Sequence, residues 1–254
     1  MLIASRKDNA MNGSQFAESI MGIVGRPREN AIMIELLNGN IPEFMKVPVH
    51  VAAMDEDLGF SLTYTVIPRF LCIGTNEDHF YVPMTPTVAQ AVADAYGMML
   101  PTYKMVQDIF TFASFRQIAS PLKFGSQMGS TDYFKKHSDL VIKQLENVPL
   151  QALCDGYKKN IVISKKMETK PNSVFIYGWM KDQNGNFWQG LPLYPGHDLA
   201  YSDYSHGVRL VDRKMMLTNL SDESSIEVDA FDILKDDKLC KLLSAEGPIL
   251  NPRY

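Results

Sequence analysis

The fold class of this chain is decided by one alternating stretch, Phe60-Ser61-Leu62-Thr63-Tyr64-Thr65-Val66. Apolar or aromatic residues take every second position, so they share one face of a β-strand while the hydroxyl residues share the other. The same period of two recurs in residues 47–51, and a short apolar run at 70–73 ends at Gly74. Residues 47–74 therefore predict neighbouring strands joined by turns.

Helix signals flank these strands on both sides. Asn12 or Ser14 is placed to cap a short first helix, and Pro27 stands where a second would begin. The same capping chemistry predicts three later helices, which start at Thr85-Pro86, Pro101-Thr102 and Ser130-Thr131-Asp132. A final amphipathic helix is predicted within residues 230–243.

The C-terminal half returns mainly to strand patterns. Strands are predicted at 160–164 and 173–179, and Asn184-Gly185 has the turn chemistry of a hairpin tip. A second hairpin is predicted to pair residues 207–211 with residues 214–218.

Strands and helices come in blocks rather than in strict alternation, which favours an α+β fold over a doubly wound sheet. We expect a single domain over residues 12–254, with a mainly antiparallel sheet and helices packed on one side of it. Residues 1–11 are polar and predict a flexible N-terminal tail.

The composition of the 254-residue chain limits its function classes. Hydrophobic residues make up 46% of it, enough for a sizeable core, and the formal net charge is −4. The basic residues are scattered rather than gathered in a stripe, so we expect no nucleic-acid partner. Three widely separated cysteines favour neither a disulfide framework nor a zinc site, and no nucleotide-binding glycine motif occurs. We therefore expect no metal and no cofactor.

Targeting and membrane signals are also missing from the sequence. It contains no apolar run of membrane-spanning length and no apolar segment near the N-terminus. These features predict a cytoplasmic protein that does not engage the membrane.

Reactive side chains are concentrated in residues 201–211, Tyr-Ser-Asp-Tyr-Ser-His-Gly-Val-Arg-Leu-Val. His206 is the candidate general base, because an imidazole titrates near neutral pH, and Asp203 is its candidate orienting partner. Arg209 is a candidate clamp for an anionic group, provided that Gly207 bends the chain. We expect His206 to face a solvent-filled cleft. The alternative is an ordinary turn in which the aspartate and serines satisfy backbone amides.

Aromatic residues are dense between positions 175 and 205, where they could line a cleft or fill the sheet core. Trp179 and Tyr204 are candidate contacts for a small-molecule or polymer substrate. Lys104 lies at a predicted helix start, where amide N–H groups favour an anion, and is a further candidate.

No convincing nucleophile accompanies these groups. Ser205 is adjacent to His206 and would face the other way in a strand. Cys154 could lie exposed at a turn, with Lys158-Lys159 near enough to lower its pKa. Cys72 ends an apolar run and is predicted to be a core thiol.

The chain resembles a family of uncharacterised bacterial proteins in two segments, Leu100-Pro101-Thr102-Tyr103-Lys104-Met105-Val106 and Asp203-Tyr204-Ser205-His206-Gly207-Val208-Arg209-Leu210-Val211. The likeness extends through Val82-Pro83-Met84-Thr85-Pro86 and Ile176-Tyr177-Gly178-Trp179, and so covers much of residues 70–211. It implies one coherent unit and no particular chemistry.

A shorter segment, Ser205-His206-Gly207-Val208-Arg209, is similar to the Ser-His-Gly-Cys-x-Arg signature of L,D-transpeptidases. Val208 stands in place of the cysteine, and the residue between cysteine and arginine is missing. The thioester chemistry of those enzymes therefore has no counterpart at this position.

These residues leave two functions open. The first is a hydrolase of amide or glycan bonds, with the cell wall as one setting, in which His206 and Asp203 act beside an aromatic-lined cleft. The second is a non-catalytic binding or assembly protein of bacterial or phage origin, in which the same residues fix a turn.

Overall fold

The computed structural model describes the backbone of residues 3–183 and 186–254, and the side chains of these residues outside 180–192. Its α-helices are α1 (Gly13–Ser19), α2 (Arg26–Leu37), α3 (Pro86–Ala95), α4 (Tyr103–Phe112), α5 (Thr131–Gln144) and α6 (Ala230–Lys235). The predicted hairpin tip at Asn184-Gly185 lies outside the described residues.

Side-chain caps hold the predicted starts of α1, α4 and α5, whereas Thr85 makes no side-chain capping bond at the start of α3. The Asn12 side chain accepts a hydrogen bond from the Gln15 amide, and the Gln15 side chain accepts one from the Asn12 amide, which completes a capping box. Thr102 and Ser130 cap α4 and α5 through their side-chain oxygens. Within 230–243, α6 ends at Lys235, and a separate 3₁₀ turn follows at Leu239–Leu242.

The strands of the described residues are short, apart from one long hairpin. In chain order they are β1 (Val49–Asp55), β2 (Phe60–Val66), β3 (Cys72–Gly74), β4 (His79–Tyr81), β5 (Met98–Met99), β6 (Phe115–Arg116), β7 (Cys154–Asp155), β8 (Lys159–Ile161), β9 (Ser173–Gln183), β10 (Asn186–Asp198), β11 (His206–Gly207), β12 (Val211–Asp212), β13 (Lys214–Asn219) and β14 (Ser225–Asp229).

The alternating strand β2 is the centre of the largest sheet. It pairs antiparallel with β1 over its whole length, and its other edge pairs with β13 and, at Val66, with β12. Leu62, Tyr64 and Val66 are buried while the residues between them are half-buried, so the predicted two-faced strand is confirmed. The hydrophobic face of β2 thus organises this side of the core.

A second sheet has the strand order β10-β9-β8-β11. Strand β9 pairs antiparallel with both β10 and β8, whereas β11 pairs parallel with β8. Two small pairs, β3 with β4 and β6 with β7, complete the strand pairing in the described part of the chain.

The predicted hairpin between 207–211 and 214–218 is wrong. Its first half is divided, because β11 belongs to the second sheet and β12 to the first. Between them, the carbonyls of Val208 and Leu210 accept hydrogen bonds from Leu71 and Ile67, so this segment crosses from one sheet to the other. Strand β13 pairs instead with β14 and β2. An alternating pattern cannot indicate such a change of sheet.

One continuous hydrophobic cluster contains residues from α1 to the final turn, including Phe16, Tyr64, Tyr157 and Leu242. The protein is therefore an α+β fold with mainly antiparallel strands, as the sequence predicts. The N-terminal segment contacts this body through Arg6, whose guanidinium donates to Asn40 and to the Ala10 carbonyl. No helix in the described ranges is long and apolar enough to cross a membrane.

Close packing around Gly207 leads to the first prediction. A Cβ atom added there would lie 2.5 Å from the Phe70 ring and 2.9 Å from the Lys158 Cβ. Gly207→Ala should therefore lower the free energy of unfolding by about 1–3 kcal/mol through overpacking, as measured by urea denaturation. Gly125→Ala is the matched control, because open space surrounds Gly125, and its effect should stay within about 0.5 kcal/mol. Equal stability of the two variants would contradict this packing.

Candidate functional site

The parallel pairing of β11 with β8 gathers an unusual set of titratable side chains. His206 lies opposite Lys159 in the register of the two strands. Helix α5 contributes His137, strand β9 contributes Trp179, and the end of β10 contributes His197. We call this cluster the His206 site; its members are His137, Lys158, Lys159, Trp179, His197, Tyr201, Asp203, Tyr204 and His206.

Asp203 is fixed at the centre of this site by three hydrogen bonds. Its Oδ1 accepts from the Ser205 amide at 2.7 Å and from the Ser205 hydroxyl at 2.5 Å, and its Oδ2 accepts from the Tyr201 hydroxyl at 3.2 Å. Burial acts to raise the pKa of Asp203, but His206, Lys159 and the Ser205 hydrogen bonds outweigh it and hold that pKa below its ordinary value. The carboxylate is therefore ionised at neutral pH.

His206 is the neutral partner of this carboxylate. Its Nε2 lies 3.8 Å from Asp203 Oδ2, and within the described residues neither ring nitrogen has a hydrogen-bond partner. Burial lowers the pKa of His206 to about 4, with Lys159, His197 and Lys158 acting in the same direction and Asp203 opposing them. The imidazole is therefore unprotonated at neutral pH.

A stacked pair of rings covers His206. The rings of His197 and Tyr201 lie 3.9 Å apart between centroids, and both residues are half-buried. Their centroids are 6.3 and 5.8 Å from that of His206, which is itself 0% exposed. This corrects the expectation that His206 faces a solvent-filled cleft, because it lies one side-chain layer beneath the surface.

Two adjacent lysines add positive charge. The Lys158 ammonium donates to the Tyr204 carbonyl at 2.8 Å and lies 3.3 Å from His137 Nδ1, in a fully buried position. Burial lowers the pKa of Lys158 to about 7, with Asp203 opposing. Lys159 is half-buried, with its ammonium 4.7 Å from the centroid of the Trp179 ring.

Trp179 occupies a strained backbone position in this site. Its φ of 69° lies in the left-handed region that bulky residues rarely adopt. The indole stacks on His137 at 6.2 Å between centroids, with planes 11° apart. Burial, followed by the charge of Lys158, lowers the pKa of His137 to about 2, so that ring is neutral. Strain of this kind is typical of functional sites.

Two other candidate substrate contacts, Tyr204 and Arg209, differ in whether they belong to the site. Tyr204 joins the site, with its ring 5.0 Å from that of His137. Arg209 does not: it is completely buried, and its guanidinium donates to the Ile67 and Cys154 carbonyls and pairs with Asp155. This corrects its expected role as a substrate clamp, because its charge is already bound inside the core.

The contacts of Lys104 also lie outside the His206 site. It is on the first turn of α4, and its ammonium forms an ion pair with Asp108 at 2.9 Å. Within the described residues, Lys104 contacts neither Asp203 nor His206.

The candidate nucleophiles are not placed for catalysis. Cys154 is fully buried, which corrects the expected exposed turn, and burial raises its pKa. Cys72 is buried in the core as predicted. The Ser205 hydroxyl donates to Asp203 rather than to His206. Among the described side chains, no three histidines, cysteines or carboxylates are grouped to hold a metal ion.

Four members of the site were missed as site residues by the sequence reasoning. His197 lies at the end of β10, close to residues 201–211, and the other three are His137, Lys158 and Lys159. These three come from α5 and from the region around β8, far in sequence from residues 201–211. The adjacent pair Lys158-Lys159 at a strand start was the available signal, since lysine rarely enters a sheet core.

Comparisons with known proteins assign no family to this chain. No protein-family model matches the chain, and neither a curated protein nor a solved structure matches it significantly. The resemblance to a family of uncharacterised bacterial proteins and the likeness to L,D-transpeptidases therefore stay predictions.

The buried Lys158 leads to a prediction about stability and pH. Its pKa is about 7 in the folded protein against an ordinary value of 10.5, so between these values the unfolded chain holds more protons. The free energy of unfolding must then rise with pH over this range. From pH 7 to pH 9 the wild type should gain about 2 kcal/mol relative to Lys158→Met, measured by urea denaturation at each pH.

Lys104→Met is the control for this measurement, because Lys104 is partly exposed and paired with Asp108. Its stability should follow that of the wild type across the same pH range. A Lys158→Met variant that also runs parallel to the wild type would show that this amine does not titrate there.

Proposed function

We propose that this protein is a hydrolase of amide or glycan bonds in which His206 activates a water molecule. The observation that carries the proposal is the pairing of a neutral imidazole, with both nitrogens free of hydrogen bonds in the described residues, with an ionised carboxylate held by three donors. In a general-base pair the acid accepts a hydrogen bond from the imidazole, and closing the 3.8 Å separation between Nε2 and Asp203 Oδ2 would complete that pair.

The geometry divides the roles of the two imidazole nitrogens. Nε2 is the atom nearest to Asp203, at 3.8 Å, so Nδ1 is left to take a proton from water. The hydroxide formed would attack the carbon of the scissile bond, and the imidazolium would return its proton to the leaving nitrogen or oxygen. Asp203 stabilises the positive charge on the ring between these steps.

Water is the nucleophile in this proposal because no candidate side chain in the described part of the chain is placed for that role. Ser205 is committed to Asp203, and Cys154 is buried with a raised pKa. A mechanism without a covalent intermediate requires only the base, its acid partner and access for substrate.

Burying polar groups and straining the backbone in the His206 site lower the stability of the fold, which supports a functional role for the site. Buried polar atoms in folded proteins almost always have hydrogen-bond partners, yet both nitrogens of His206 and Nε2 of His137 lack one in the described residues. Lys158 is buried as well, and Trp179 is strained. Missing partners alone do not single out the site, because both nitrogens of the buried His79 also lack them in the described residues; the burial of Lys158 and the strain at Trp179 are the features that support a function here.

The experiment is an activity assay on purified variants against peptidoglycan fragments and chromogenic amide substrates. His206→Asn should lower kcat/KM by about 10²–10⁴-fold, the usual contribution of a general base. Asp203→Asn should lower it as well, because the imidazolium loses its partner. The wild-type rate should fall as the pH drops through about 4, where His206 becomes protonated and can no longer accept a proton.

His50→Asn is the matched control, since His50 is an exposed imidazole on β1. It should leave turnover unchanged. Turnover that survives in His206→Asn would remove this residue from the mechanism, and a wild type without turnover on any of these substrates would count against the hydrolase.

Access to the base gives a separate prediction. Because Tyr201 and His197 cover His206, diethyl pyrocarbonate should modify His206 slowly in the wild type and several-fold faster in Tyr201→Ala. Peptide mass spectrometry measures the rate at each histidine, and His50 serves as the internal standard for reagent dose. An unchanged rate at His206 would mean that Tyr201 does not control access.

A second function is favoured by the complete burial of His206 and Asp203. In a non-catalytic binding or assembly protein, Asp203 would act only to close the turn, where its carbonyl also accepts the His206 amide at 3.0 Å. The same variants separate the two functions. A structural turn predicts loss of stability in Asp203→Asn with no turnover to lose.

A further inference from the structure

The local charge of the His206 site is opposite to that of the whole chain. The protein carries a formal net charge of −4. In the site, the buried carboxylate of Asp203 faces Lys159 and also Lys158, which is about half protonated at neutral pH with its pKa of about 7, while His137 and His206 are neutral. A local excess of positive charge in an acidic protein favours an anionic ligand at that place.

Lys159 is the lysine available to such a ligand. Lys158, the other lysine of the site, already donates to the Tyr204 carbonyl and lies 3.3 Å from His137 Nδ1. Lys159 forms no ion pair with a described residue and rests instead on the face of Trp179, at 4.7 Å from the ring centroid. It is half-buried, so its charge is partly shielded from water and still accessible.

The position of Lys159 relates it directly to the proposed base. It lies opposite His206 in the strand register, and its amide donates to the Ser205 carbonyl at 2.8 Å. Its charge also acts on His197, which forms part of the cover above His206. The neighbouring acid on this rim is Asp198, which is exposed and accepts a hydrogen bond from the Ala200 amide.

We propose that the substrate of the His206 site carries a carboxylate group, which the Lys159 ammonium binds beside the face of Trp179. This inference rests on the proposed hydrolase function and names the substrate class for it. A carboxylate accepts a charge-assisted hydrogen bond from the ammonium, and an apolar group next to it packs on the indole. The bond to be cut would then lie within one residue of a free acid group.

The test compares two probes of the same size, N-acetylalanine with a charged carboxylate and N-acetylalaninamide with a neutral amide in its place, by NMR titration of ¹⁵N-labelled protein. The acid should bind with an affinity about tenfold higher than the amide, shifting the resonances of Trp179 and His197. Lys159→Met should lower the affinity for the acid to that for the amide. Lys159→Arg should preserve the preference, because it keeps the charge.

Lys104→Met is the control, as it removes a lysine whose charge is already paired with Asp108. It should bind both probes as the wild type does. The inference is overturned if acid and amide bind alike, if neither binds, or if Lys159→Met keeps the preference for the acid.

His206→Asn separates this inference from the proposed function. The variant should bind N-acetylalanine as the wild type does, because Lys159 and Trp179 remain in place. If the wild type binds the acid selectively but turns over no substrate, the carboxylate site is supported and the proposed hydrolase function is contradicted. Turnover without charge selectivity would do the reverse.

Discussion

The structure depends on the crossing of residues 208–210 from one sheet to the other. Leu71 donates to the Val208 carbonyl at 2.8 Å, and Ile67 donates to the Leu210 carbonyl at 3.1 Å. On one side of this crossing β11 is held parallel to β8, and on the other β12 is held between β2 and β5. The same few residues therefore join the two sheets and fix the positions of His206 and Asp203.

This crossing explains why polar residues lie where an apolar core would be expected. Gly207 allows the Phe70 ring and Lys158 to approach the backbone, and Lys158 and His206 are both fully buried beside it. Arg209 is enclosed too, but its guanidinium is matched by two carbonyls and by Asp155. The two differ in hydrogen bonding, because the Arg209 guanidinium has acceptors inside the core, whereas the ring nitrogens of His206 have no partner in the described residues.

Features set by local chemistry could be predicted from the sequence. The alternation in β2, the caps of α1, α4 and α5, and the burial of Cys72 all follow from neighbouring residues. The change of sheet after Gly207 could not be predicted, because it depends on hydrogen bonds to Ile67 and Leu71, far away in sequence. The sequence predicted only part of the site, because the other part depends on residues that are far apart in sequence. Asp203, His206 and Tyr204 share one segment, whereas His137 and Lys158 arrive through tertiary packing.

The burial of all three cysteines has a practical consequence. Cys72 lies on β3 and Cys154 on β7, in the two small strand pairs, and neither has exposed surface, so a thiol reagent can attack them only when the core opens. Their labelling rates in native buffer therefore measure how often the core opens around each of these two strand pairs. If both pairs open with the core as one cooperative unit, both thiols will react with the same rate constant.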